Sequence, residues 1–153
     1  MKKILVVGLI SSFLSAGAFA AACTTGGGAQ AAVSGATAPS GEQCVCNGGA
    51  AIKSTVQGGS GTVIGGTVIT TAPIFLKTGF DVQCSANTLV SYNEVSGTAF
   101  AVASGSMKGN QTFIGSSNGG AVTTSAKCTG TNDACTAANV TTANGLATTA
   151  AGS

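Results

Sequence analysis

The sequence predicts an all-β protein, an antiparallel β-sandwich or jelly-roll-like domain of about seven to nine short strands, stiffened by disulfides and preceded by a flexible glycine-rich arm. Three observations predict it. Between residues 45 and 128, β-branched and aromatic residues alternate with polar ones in short runs, the period of a half-buried strand. Glycine clusters cut those runs apart, as turns and bulges require. Six cysteines follow a leader of the exported type, which reads as a disulfide framework.

In chain order, Lys2 and Lys3 precede an apolar stretch at 4–14 and then Ala18-Phe19-Ala20. A charged start, an apolar middle and small residues at −3 and −1 are what a secretion signal needs, so residues 1–20 are expected to be removed. The apolar stretch is shorter than the ~20 residues of a spanning helix, and no membrane span is expected. Lipidation at Cys23 is a rival: Ala20, Ala21 and Ala22 suit it, but the apolar residue that such a signal carries three positions before the cysteine is missing. Residues 21–43 are rich in Gly, Ala, Ser and Thr and bury no core of their own, so they read as a flexible arm. Its first residues, Cys23, Thr24, Thr25, Gly26, Gly27 and Gly28, are the candidate assembly arm.

The β domain is expected over 44–140. Strands are predicted at 51–56, at 62–64 and 67–71 on either side of Gly65-Gly66, at 74–76 after Pro73, at 80–84 and at 90–94. Another at 98–103 puts Phe100 and Val102 on one face, and 111–114 and 121–124 flank Asn118-Gly119, a hairpin signal. Residues 133–140 allow one turn of helix, with Thr131 or Asn132 as its cap. Residues 141–153 return to Ala, Thr, Gly and Asn and read as a loosely ordered tail. No repeat of fixed period is present.

Six cysteines allow 15 pairings. Cys44 and Cys46 are too close to bond each other without strain, and in an extended strand both thiols face one side. The polar segment between Cys128 and Cys135 makes a natural small loop. The expected pairs are therefore Cys128 with Cys135, Cys84 with Cys44 or Cys46, and Cys23 with the remaining one. Cys23, near the start of the mature chain, has two destinies: a bridge within its own subunit or one to a neighbour. A metal centre is not expected, because histidine is absent and the destination is oxidising.

The missing residues exclude several functions. General acid–base chemistry uses histidine or a carboxylate pair with separated pKa values. There is no His, and the four acids are Glu42, Asp81, Glu94 and Asp133. Asp81 and Glu94 approach each other only if their strands are adjacent; otherwise they are solvated carboxylates. No enzyme and no cofactor are expected. Without arginine, and with Lys53, Lys77, Lys108 and Lys127 balancing the four acids, the mature chain has no footprint for nucleic acid. A Lys–Asn isopeptide bond has its ingredients here but would need a buried lysine beside an asparagine and an acid.

Only 7% of residues are charged, against about 25% in an ordinary soluble protein. Sheet edges are normally guarded by lysine or proline, and only two prolines occur. A chain so lightly guarded is expected to associate, by strand addition from an extended arm. Head-to-tail contact of that kind builds an open filament when it does not close. In composition the mature chain resembles secreted bacterial fibre and pilin-like subunits. That resemblance implies a self-assembling extracellular or cell-surface filament, exported through the periplasm, whose partner is itself and, in adhesion or biofilm, a surface or matrix component. The alternative expectation is a secreted monomeric adhesin or carbohydrate-binding module.

Overall fold

The computed structural model describes residue 23 and residues 41–56, 63–64, 67–68 and 75–152. The leader at 1–20 and most of the arm, Thr24 to Gly28 included, lie outside the described residues. The protein is mostly β, with nine strands among the described residues: β1 (Glu42–Asn47), β2 (Ile52–Val56), β3 (Val63–Ile64), β4 (Thr67–Val68), β5 (Phe80–Cys84), β6 (Thr88–Glu94), β7 (Phe100–Ser106), β8 (Gln111–Ser116) and β9 (Thr123–Lys127). Seven of these have five residues or more, while β3 and β4 are two-residue strands paired with each other. A 3-10 turn (Thr131–Asp133) leads into one helix, α1 (Ala137–Gly152).

β6 to β9 form an antiparallel meander, and β1 joins it beside β6, giving a five-stranded sheet in the order β1-β6-β7-β8-β9. β2 and β5 pair as a separate antiparallel ribbon. Alternation divides the sheet into two faces. Leu89, Ala101 and Ala103 face α1, packing with Val140, Ala143 and Ala147. Val90, Tyr92, Phe100 and Val102 face the ribbon, packing with Val56 and Cys84.

The second layer departs from the expected sandwich: one face of the sheet is covered by a helix rather than by a second full sheet. The tail expected to be loose, 141–153, supplies that helix, and the expected boundary at 140 falls inside it. The expected helical turn at 133–140 is likewise displaced, because the cap is Thr136 rather than Thr131 or Asn132. The Thr136 amide donates to Asn139 Oδ1 (3.0 Å), and the Asn139 amide donates to Thr136 Oγ1 (3.4 Å). This is a capping box with Asn in the place of Glu or Gln.

The buried residues of α1 are Ala137, Val140, Ala143, Asn144, Ala147 and Ala151, a stripe with helical spacing. Four of the six are alanine, and β7 answers with Ala101, Ala103 and Gly105. At Gly105 an added Cβ would lie 3.2 Å from Val140 Cγ2 and 3.3 Å from Cys135 Cβ, so the glycine sets how near the helix comes.

Candidate functional site

All six cysteines are in bridges: Cys23–Cys44, Cys46–Cys84 and Cys128–Cys135. Of the pairings the sequence left open, Cys84 takes Cys46. Cys44 and Cys46 do not share a side as a regular strand would have them. The β1–β6 register shifts between them, with Cys44 opposite Ser91 and Cys46 opposite Val90. The extra residue, Val45, is a β-bulge, and it turns the two sulfurs to opposite faces. Cys44 packs with the helix-side core and Cys46 with the ribbon-side core.

The arm is therefore fastened at its root. Cys23 is buried and bonded to Cys44 within its own chain, which is the internal destiny of the two considered. The strand that follows begins at Glu42, inside the range 21–43 expected for the arm.

The sheet has two edges, β1 and β9. On β1 the Val45 carbonyl, at the bulge, accepts the Ser54 hydroxyl from β2 at 2.8 Å, so the ribbon occupies one backbone group of that edge. No strand among the described residues pairs with the far side of β9. Its sequence, Thr-Thr-Ser-Ala-Lys, carries one charge, and Lys127 is occupied by Asp133 at 2.9 Å. Hydrogen-bond parity says which groups point outward. The Met107 amide donates to the Asn87 carbonyl and the Ser117 amide to the Phe100 carbonyl. Odd-numbered residues of β7 thus bond β6 and even-numbered ones bond β8. By the same alternation even-numbered residues of β8 bond β9, so Ile114 exchanges bonds with its register partner Thr123. The amide and carbonyl of Thr124 then turn away from the sheet, toward the open side.

The acids do not assemble into a catalytic pair. Asp81 meets Lys53 across the ribbon at 2.8 Å, both half-exposed. Glu94 is 5% exposed. Its Oε2 accepts the Phe75 amide at 2.7 Å and the Leu76 amide at 3.4 Å. That carboxylate fixes the chain entering the ribbon, a task its sequence position did not signal. Beside it, Tyr92 and Phe75 both stack with the Phe100 ring, with centroids 5.5 and 5.0 Å away. Burial, and secondarily the charge of Glu94, push the Tyr92 hydroxyl well above the usual tyrosine range. Lys53, Lys77, Lys108 and Lys127 are all exposed, so the buried lysine that an isopeptide bond requires is not supplied. Among the described residues no three His, Cys, Asp or Glu side chains gather as a metal site, and no helix is long and apolar enough to cross a membrane.

The feature that the sequence reading missed is a difference between the edges among the described residues: β2 bonds a carbonyl of β1, and no described strand pairs with the far side of β9. A signal for it was present in the run from Ala121 to Ala126, which contains no charge and no proline. Compared with family models, with curated proteins and with solved structures, the chain matches none.

Proposed function

We propose that the protein is a structural subunit of a self-assembling filament, outside the cell or on its surface, in which a strand from one copy adds to the β9 edge of the next. The observation that carries this reading is the β9 edge: among the described residues no strand pairs with the far side of Thr123–Lys127, and alternation turns the Thr124 amide and carbonyl outward. Unpaired backbone groups on an edge recruit another strand unless something guards them. With the added strand drawn from the candidate arm of the neighbour rather than from its own β9, the joint is heterologous, the geometry that gives open polymers. The three disulfides suit an oxidising compartment, in keeping with the leader at 1–20. The low charge adds little repulsion between copies.

The test is size-exclusion chromatography and negative-stain imaging of the oxidised mature protein. Long polymers are expected, and Thr124→Pro should leave single subunits with an unchanged circular dichroism spectrum. Proline there removes an outward N–H without breaking a bond to β8, and edge positions tolerate it. Because Cys23 is bonded internally, the polymers should fall to single chains in detergent without reductant. A wild-type protein that stays a single subunit at high concentration overturns the proposal.

A further inference from the structure

The ribbon side of the sheet is divided in two. Over β1, β6 and the start of β7 it is apolar and covered by the ribbon. At the opposite end the described residues leave it open, as a groove of about 380 Å³ whose surface is mostly apolar with polar groups set into it, lined by Thr88, Ser104, Ser106, Asn110, Gln111 and Phe113, with two glycines between them. We infer that this groove binds a neutral saccharide, with the Phe113 ring as its stacking surface.

Three properties of the groove carry this. First, its polar groups are uncommitted. Apart from the Ser106 hydroxyl, which accepts the Lys108 amide, no side-chain hydrogen bond among the described residues engages the Thr88 and Ser104 hydroxyls or the Asn110 and Gln111 carboxamides. Each carboxamide offers both donors and an acceptor, and each hydroxyl both functions, which matches a ligand whose own groups are hydroxyls. Second, Phe113 is 41% exposed. Its cross-strand neighbours on that face are Ser104 and Thr124, both small, so they leave the ring uncovered. An aromatic face offered beside polar groups fits the apolar C–H side of a sugar ring. Third, no ionisable side chain lines the groove, so it has nothing to neutralise a phosphate or a carboxylate. The volume falls in the range of small-ligand sites, about 300–1,000 Å³.

The site is on a face of the sheet, whereas the filament reading concerns its β9 edge. Each can fail without the other.

Saturation-transfer difference NMR on the mature, disulfide-intact protein reads ligand binding whether subunits are single or polymerised. The probes are glucose, galactose, N-acetylglucosamine, maltotriose, cellotriose and chitotriose. At least one should receive saturation at its ring C–H protons, with Kd raised roughly tenfold or more in Phe113→Ala. Phe113→Tyr should retain binding. Phe80→Ala, which removes another exposed phenylalanine, should leave it unchanged. The inference is overturned if no probe is saturated, if Phe113→Ala binds as the wild type does, or if dextran sulfate displaces the sugar through the lysines.

Discussion

The residues that hold α1 to the sheet include a polar chain inside an otherwise alanine interface. Asn93 Nδ2 donates to Thr148 Oγ1 (3.1 Å), Thr148 Oγ1 donates to Asn144 Oδ1 (3.4 Å), and Asn144 Nδ2 donates to Ser91 Oγ (3.1 Å). Asn144 is 1% exposed and Ser91 is fully buried, so neither finds water if its partner is removed. Asn144→Ala should cost about 1–3 kcal/mol, the penalty for orphaning buried polar groups. Adding Ser91→Ala should cost less than the sum of the two single changes, since it removes the orphan; urea unfolding midpoints of the four proteins measure the difference. A second residue-scale outcome concerns pH. Tyr92 is held neutral by burial first and by the nearby Glu94 charge second, so its folded pKa lies above its ordinary value of 10.0. The unfolded chain therefore releases the tyrosine proton first as pH rises. Its contribution is fully present below about pH 10 and is lost progressively above it. Tyr92→Phe should flatten that part of the stability–pH curve in thermal melts run from pH 8 to 11.

At the scale of elements, the strands were legible and the helix was not. Most described strands of five residues or more meet a run in which branched, aromatic or cysteine positions alternate with polar ones, as in Phe80, Val82 and Cys84 of β5. The exceptions are β1, where no strand is predicted, and β9, whose Thr-Thr-Ser-Ala-Lys has no such alternation. α1 has no comparable contrast. Its buried face is mostly alanine and its exposed face mostly threonine, alanine and glycine, so no apolar period rises above the background. What makes it a helix is the high propensity of alanine together with a flat complementary surface on β7, and that surface exists only after the sheet forms. The bulge at Val45 was hidden for a related reason, since alternation in β1 looks regular until the register with β6 is known. The capping box was readable in Thr136-Ala137-Ala138-Asn139 but uses Asn where Glu or Gln is the usual signature. Because Asn139 also donates to Thr129 Oγ1 at 3.0 Å, it ties the helix start to the chain leaving β9. Asn139→Ala should lower stability by about 1 kcal/mol, and amide hydrogen exchange should show the loss concentrated in the first turn of α1.

For the whole molecule, the three bridges join parts that packing alone holds weakly. Cys23–Cys44 fastens the arm to the helix side of β1, Cys46–Cys84 fastens the ribbon to the other side, and Cys128–Cys135 closes the passage from β9 to α1. The sequence separations are 21, 38 and 7 residues. Chain-entropy scaling then ranks them at about 3, about 4 and about 2.5 kcal/mol. The largest belongs to the bridge that ties the ribbon to the sheet. The ribbon meets the sheet through one apolar cluster, in which Val82 and Leu76 are only partly buried, through the Ser54 hydroxyl on Val45, and through the Glu94 carboxylate and the Phe100 ring, which hold Phe75 at the chain entering it. The sheet–helix body has its own continuous core of Leu89, Ala103, Val140 and Ala143. A Cys46→Ala/Cys84→Ala double variant should therefore lose the ribbon before it loses the fold. Hydrogen exchange at the β2 and β5 amides should quicken while β7, β8 and α1 stay protected, and the unfolding midpoint should fall by the equivalent of about 4 kcal/mol or less. Loss of protection throughout the molecule would mean that the ribbon is part of one cooperative unit with the sheet. The same variant bears on assembly. Freeing the ribbon withdraws Ser54 from the β1 edge, so under the proposed assembly the filaments expected of the wild type should give way to laterally associated, irregular aggregates in negative stain.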